Sequence, residues 1–125
     1  MYAEERIKYS SLYFLCSGHI IKVKKSIRGE TYMIIGIPKE IMHDERRVSA
    51  TPDVCGRYIS LGHTVLVEHD AGEGAYFHDE QYAAAGAQVV PGAGDVYERA
   101  DLILKVKEPL LNEQTGLHEV DMMRP

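Results

Sequence analysis

LILKVKEP, residues 102–109, is the most informative stretch of the sequence. Its apolar run, Leu102–Leu104, predicts a buried strand, and Pro109 stops that strand because proline has no N–H for a sheet ladder. If the strand continued to Lys105 and Lys107, alternation would place both lysines on one face. Ligands bind open α/β sheets at the carboxyl ends of their strands. On periodicity alone, we favour the simpler interpretation that both lysines are solvated as the strand leaves the core.

The preceding sequence alternates between strands and helices. Helices are predicted after the capping pair Thr51-Pro52, over residues 79–85, and from an N-cap at Asp95. In the first of them, Val54, Tyr58 and Leu61 fall on one face, and Gly62 and Gly86 end the first two helices. The further strands are MIIGI (33–37), TVLVE (64–68) and QVV (88–90). This alternation predicts an α/β fold with an open, mostly parallel, Rossmann-like sheet of about four strands and short crossover helices.

Composition excludes several classes of function. A length of 125 residues suits one domain, and a net charge of -5 offers no electrostatic footprint for nucleic acid. The two cysteines, Cys16 and Cys55, form no CxxC motif, which predicts a reduced, cytoplasmic protein without a structural metal. No stretch approaches the roughly 18 apolar residues of a membrane span, and Glu4 and Glu5 spoil the basic start of a secretory signal.

The sequence divides into three parts. Residues 1–32 show no sustained period and end in a basic patch. Three interpretations compete: a genuine extension, a linker or tag, or translated upstream sequence ahead of a start at Met33. We favour the third alternative because Arg-Gly-Glu before Met33 could be encoded by a purine-rich, ribosome-binding-site-like run. Residues 33–111 carry the regular α/β pattern. Residues 112–125 form a divergent tail with weak periodicity and no strand to close another unit, as though the chain stops early.

Two groups of basic residues are candidates for binding a small anion. Arg46 and Arg47 follow the strand at 33–37, and a guanidinium fork suits a carboxylate or phosphate. Lys107 follows the strand at 102–104, so in a parallel sheet these groups can converge on one crevice. Solvated loop charges are the simpler alternative. The GxG of residues 71–74 and the glycines of residues 91–94 indicate turns and no dinucleotide fingerprint, and the scattered histidines form no recognisable catalytic arrangement.

Three continuous segments resemble the start of alanine dehydrogenases. They are MIIGIPKEIMHDERRVSATP (33–52), GHTVLVEHDAGEGAYFHDEQYAAAGAQVV (62–90) and ADLILKVKEP (100–109). The same domain type occurs in transhydrogenase alpha subunits, and saccharopine dehydrogenases are more distant relatives, but the KVKEP form is closer to alanine dehydrogenase. The resemblance implies a substrate-binding domain of an oxidoreductase that converts L-alanine, NAD and water to pyruvate, ammonia and NADH.

The resemblance also implies roles for individual residues. Arg47 matches the arginine that holds the substrate carboxylate, and Lys107 matches the catalytic lysine at the carboxylate and carbonyl region. The family's catalytic histidine is not matched by His118. Its NAD domain, which would bind the cofactor, lies beyond the matching segments.

We therefore expect a truncated or split product that is inactive alone and binds pyruvate or L-alanine. The family is expected to form homo-oligomers, and a separate NAD-domain partner would complete this chain. Exposed apolar surface is expected to make the chain self-associating or marginally stable. The alternatives are a transhydrogenase-like domain and a free-standing module that binds small carboxylates.

Overall fold

The structure, a computed structural model, describes residues 32–125 and, ahead of them, two strands, β1 (Tyr13–Cys16) and β2 (His19–Ile20). Four further strands are β3 (Ile34–Ile37), β4 (Thr64–Glu68), β5 (Gln88–Val90) and β6 (Leu102–Leu104). Within this described part, the strands form a sheet in the order β2-β1-β6-β3-β4-β5. β2 is antiparallel to β1, and the other pairings are parallel. The predicted α/β class and its four parallel strands are confirmed.

β1 and β2 lie in the segment for which no regular structure was predicted. β1 extends the sheet beyond β6, with Tyr13 opposite Leu102 and Leu15 opposite Leu104. These strands were missed because the segment lacks the sustained alternation on which a strand prediction depends. The basic patch of the same segment lies outside the described residues.

Three helices connect the parallel strands. Helix α1 (Pro52–Ser60) begins as predicted, since the Thr51 side chain accepts a hydrogen bond from the Val54 N–H at 3.3 Å and proline occupies the first turn. Helix α2 (Asp79–Ala84) follows β4. Just beyond these two helices, Gly62 and Gly86 adopt positive φ angles of 96° and 99°, a conformation that glycine adopts without steric cost.

Two details of the helix prediction are wrong. Helix α3 (Ala93–Arg99) has Gly92 as its N-cap, and Asp95 lies inside its first turn. An acidic residue in that position still interacts favourably with the helix dipole. Leu61 is 68% exposed at the end of α1, and the fully buried side chain of that helix is Cys55. Leu61 is the C-cap residue just after the last helical residue, so it does not continue the buried face of the helix.

The core lies on both faces of the sheet. Alternation along β4 directs Val65 and Val67 into one cluster, beneath α1 and α2, and Leu66 into the other, beneath α3. Gly36 on β3 allows α3 to approach closely, because a Cβ there would lie 2.6 Å from a methyl group of Val96. A parallel sheet needs such cover on both faces, and these helices provide it over β3, β4 and β6.

The tail forms a small unit of its own. Strands β7 (Leu111–Asn112) and β8 (Leu117–His118) pair as an antiparallel hairpin that does not join the main sheet. A 3₁₀ turn over Glu119–Met122 follows, and Met122 and Met123 pack against the cluster beneath α3. No helix of the described part has the length and apolarity that crossing a membrane requires.

Candidate functional site

Lys105 is buried, and the prediction that it is solvated is wrong. β6 ends at Leu104, so strand alternation does not continue and cannot place Lys105 and Lys107 on one face. The Lys105 ammonium lies 2.9 Å from a Glu40 oxygen and 3.2 Å from a Glu119 oxygen, and all three side chains are at most 3% exposed. Two carboxylate partners compensate for the loss of hydration, which explains why a lysine is tolerated here.

This buried triad, Glu40–Lys105–Glu119, joins three separate segments. The second oxygen of Glu40 accepts a hydrogen bond from the Val106 N–H at 2.6 Å, and the second oxygen of Glu119 accepts one from the Leu110 N–H at 2.9 Å. The triad thereby connects the loop after β3, the segment after β6 and the turn after β8. Its structural consequence is a fixed backbone on either side of Lys107.

The loop between β3 and α1 is also attached at its far end. The Ser49 hydroxyl donates to the Leu104 carbonyl at 2.8 Å, and the Tyr82 hydroxyl donates to the Ala50 carbonyl at 2.8 Å. A turn shapes the middle of the loop, where the Glu45 N–H donates to the Met42 carbonyl at 3.1 Å. Asp44 has a φ of 61° in that turn, a left-handed conformation that aspartate tolerates better than most residues.

Arg47 extends from this loop and forms a two-point contact with Glu45. Its Nε donates to Glu45 Oε1 at 2.9 Å and its Nη2 donates to Oε2 at 2.7 Å. The hydrogen bond from Arg47 is the largest effect that lowers the pKa of Glu45 to about 2. The Glu45 carboxylate in turn raises the pKa of Arg47. The guanidinium is therefore charged and its side chain is 65% exposed.

Lys107 belongs to the same electrostatic environment. Its positive charge is among the effects that lower the pKa of Glu45, and its side chain is partly exposed. Arg47 follows β3 and Lys107 follows β6, which are neighbouring parallel strands. Arg46 is exposed, and its backbone packs against Gly74, where a Cβ would lie 2.8 Å from the Arg46 carbonyl oxygen. Of the predicted cations, Arg47 thus contacts Glu45 directly, and Lys107 acts on the same carboxylate through its charge.

A cleft of about 790 Å³ lies next to the buried triad. It lies between the start of the β3–α1 loop and the β7 region, and its lining comprises residues 39–43, Glu68 and residues 110–114. Glu68 accepts a hydrogen bond from the Lys39 N–H at 2.7 Å, and burial raises its pKa. Tyr97 lies near the carboxylates of Glu40, Glu68 and Glu119, and burial is the main cause of its raised pKa.

The glycine-rich loop does not fit a dinucleotide. A 3₁₀ turn of three residues, Glu73–Ala75, follows Gly72, and the N–H groups of Glu73 and Ala75 donate within the loop, to Asp70 and Gly72. Gly72 is required by packing, since a Cβ there would lie 2.6 Å from the Phe77 carbonyl oxygen. A phosphate cradle needs free N–H groups at the start of a helix, and the internal hydrogen bonds and the packed Gly72 favour the interpretation of this loop as a structural turn.

The two histidines that flank this loop, His69 and His78, pair with carboxylates. His69 contacts Asp79 at 2.5 Å through Nδ1 and Asp70 at 3.2 Å through Nε2, and His78 contacts Glu73 at 2.7 Å. Hydrogen bonds to Asp79 and Glu73 are the largest effects that raise the pKa of His69 and His78, respectively. His69, Asp70 and Asp79 place possible metal ligands within 4.8 Å of one another. Both ring nitrogens of His69 face carboxylates, an arrangement that favours the protonated ring.

Two carboxylates of this region were not predicted from the sequence. Glu45 orients Arg47, and Glu40 neutralises Lys105. A signal for Glu45 was present, because a carboxylate two residues before an arginine in a loop can pair with it locally. Glu40 had no such signal, since its partner lies 65 residues away along the chain.

Comparisons with known proteins place this arrangement in a family. The model of the family described as "Alanine dehydrogenase/PNT, N-terminal domain" matches residues 36–124. The alanine dehydrogenase of Methanococcus maripaludis is 46% identical over 81 residues, which are 65% of this chain and 22% of that protein. The alanine dehydrogenase of Bacillus subtilis is 48% identical over 81 residues, 65% of this chain and 21% of that protein. The chain spans about a fifth of the length of these relatives.

Solved structures agree with the sequence relatives. An L-alanine dehydrogenase superposes with a TM-score of 0.65 at 46% identity, covering 74% of this chain and 24% of that one. A transhydrogenase from Sinorhizobium meliloti gives a TM-score of 0.62 at 37% identity, covering 73% of this chain and 25% of that one. The chain therefore belongs to the alanine dehydrogenase/PNT family and contains its N-terminal domain.

Proposed function

We propose that this chain is the substrate-binding part of an alanine dehydrogenase-type oxidoreductase, in which it binds the carboxylate of L-alanine or pyruvate. The observation that carries the proposal is the environment of Glu45, which pairs directly with the exposed guanidinium of Arg47 and is also influenced by the charge of Lys107. Arg47 and Lys107 follow the carboxyl ends of neighbouring parallel strands, and this is the edge at which open α/β sheets bind ligands.

The two cations suit different parts of such a substrate. The planar Arg47 guanidinium can bind a carboxylate through two parallel hydrogen bonds. The Lys107 ammonium is a compact charge that can stabilise negative charge developing on a carbonyl oxygen. We therefore assign the substrate carboxylate to Arg47 and Lys107, and the catalytic role of polarising the carbonyl group to Lys107.

Family membership implies NAD as the redox cofactor, and NAD accepts or donates the hydride when it is bound. The residue 71–74 loop suits it poorly, because the N–H groups of Ala71 and Glu73 donate to nearby carbonyls and only a three-residue 3₁₀ turn follows. We propose that NAD is held by a separate domain and that the 125 residues alone do not catalyse. Homo-oligomerisation and a cytoplasmic location complete the proposal, without nucleic acid or membrane partners.

Two alternatives differ in measurable ways. A transhydrogenase-type role is supported by the Sinorhizobium meliloti structure, but its identity of 37% is lower than the 46% of the L-alanine dehydrogenase. A free-standing carboxylate-binding module would bind pyruvate and would gain no activity from any NAD-binding domain. These alternatives share the carboxylate site and differ in its partner.

The proposal is tested by titrating pyruvate into the chain in a calorimeter. Arg47→Ala and Lys107→Ala should each weaken binding about 10- to 100-fold, since a hydrogen bond to a charged group contributes about 1.5–3 kcal/mol. Arg57→Ala is the matched control, because it removes a guanidinium that is 76% exposed and pairs with Asp53 on α1. Unaltered binding in both site variants, or no binding to a folded wild-type chain, would refute the proposal.

A further inference from the structure

Glu45 contacts Arg47 along one particular edge of the guanidinium. Its two oxygens accept from Nε and Nη2, at 2.9 and 2.7 Å. A guanidinium has five N–H donors in a rigid plane. The contact with Glu45 uses the Nε donor and one Nη2 donor, so both Nη1 donors and the second Nη2 donor remain. The second Nη2 donor and one Nη1 donor form the end-on edge, which can bind a second carboxylate while Glu45 stays in place.

Glu45 is the fixed partner of this pair and Arg47 is the accessible one. The Glu45 side chain is 7% exposed, whereas that of Arg47 is 65% exposed. Glu45 also accepts from the Arg47 backbone N–H at 2.9 Å, and its own N–H closes the turn with Met42. A carboxylate held by its backbone and by three donated hydrogen bonds restricts the rotation of the guanidinium that it binds.

Glu45 also sets the charge of the site. Arg47 and Lys107 contribute two positive charges near a carboxylate that is ionised at neutral pH, so the group carries one net positive charge. One positive charge is complementary to a ligand with a single carboxylate. A ligand with two carboxylates would instead leave Arg47, Lys107, Glu45 and the ligand together with one net negative charge.

We infer that Glu45 is a positioning and specificity residue, which aligns the end-on edge of Arg47 and selects monocarboxylates over dicarboxylates of the same size. This inference rests on the proposed function, because it concerns the same site. Glu45 acts through Arg47 and through its charge, and it does not itself contact the substrate.

The test compares two ligands of similar size and different charge, pyruvate and oxalate. Glu45→Gln keeps the shape of the side chain and removes its charge. In this variant we expect pyruvate to bind about tenfold more weakly, because the guanidinium is less fixed, and the affinity for oxalate relative to pyruvate to rise at least fivefold. Asp53→Asn is the control, since it removes a carboxylate from an exposed arginine pair and should change neither value.

A second measurement does not depend on any variant folding. Nitrogen-15 NMR of the wild-type chain should show slower hydrogen exchange at the Arg47 Nε–H than at the Arg57 Nε–H, because the former donates to a nearly buried oxygen. Equal exchange at the two arginines would overturn the role of Glu45. An unchanged ratio of oxalate affinity to pyruvate affinity in Glu45→Gln would do the same, provided that wild type binds pyruvate through Arg47. Either result would leave the proposed function intact. Failure of wild type to bind pyruvate would overturn the proposed function and this inference together.

Discussion

Lys105→Met should destabilise the protein more than any surface substitution, because it leaves two buried carboxylates without their cation. The ammonium is fully buried, and its two partners are at most 3% exposed. Removing one member of a buried ion pair costs about 3–5 kcal/mol. A domain of this size has a total stability of roughly 5–15 kcal/mol, so the loss is a large fraction of it. The melting temperature should fall by roughly 10–20 °C.

The assay is thermal and urea unfolding followed by circular dichroism. Arg57→Met is the matched control, since its pair with Asp53 is 76% exposed on both sides and such i,i+4 pairs contribute about 0.3–0.5 kcal/mol. A triple variant, Lys105→Met with Glu40→Gln and Glu119→Gln, should recover part of the stability because no buried charge remains. A loss below about 1 kcal/mol in Lys105→Met would refute the reasoning that the triad compensates a large desolvation cost.

Three further changes test other parts of the structure. Gly36→Ala should cost about 1–3 kcal/mol in urea unfolding, because its Cβ would lie within 3 Å of side chains from α3 and β6. Gly74→Ala should weaken pyruvate binding and also lower stability in the same urea assay, because its Cβ would lie 2.8 Å from the Arg46 carbonyl oxygen and displace the backbone beside the site. His69→Gln should reduce stability at pH 6 and have less effect at pH 9, as measured by thermal unfolding. The reason is that Asp79 raises the folded-state pKa of His69 above its usual 6.5. The stability that the His69–Asp79 pair contributes is therefore fully present below pH 6.5 and is lost as pH rises through the folded-state pKa.

The elements that the sequence predicted well depend on local signals. β-branched runs indicate β3 and β4, and Thr51 followed by Pro52 indicates the start of α1. Each of these signals lies within a few residues of the structure that it specifies. β6 ends at Leu104, five residues before the Pro109 that was expected to stop it, and the fate of the lysines after it was not predicted either.

The fate of Lys105 could not be predicted, because it is decided by distant residues. Its partners Glu40 and Glu119 lie 65 and 14 residues away along the chain. Periodicity reports which side of an element faces the core, but it does not report a carboxylate that another loop brings to the same place. The favoured interpretation of a solvated lysine was the ordinary outcome for its residue type, and the tertiary fold overrode it.

The candidate site was partly accessible from the sequence. Arg47 and Lys107 follow predicted parallel strands, so their placement at one edge of the sheet follows from topology. Glu45 was overlooked, although it lies only two residues before Arg47 and makes the shortest side-chain contact with it, 2.7 Å. The turn that directs Glu45 depends on Asp44 in a left-handed conformation, which sequence patterns specify weakly for a residue other than glycine.

The most direct test of substrate binding is a crystal structure of the chain with pyruvate. We expect pyruvate with its carboxylate within hydrogen-bond distance of the end-on edge of Arg47 and beside the Lys107 ammonium, while Glu45 keeps its contact with Nε. Pyruvate bound instead in the cleft lined by residues 39–43 and 110–114, with Arg47 contacting Glu45 alone, would contradict it.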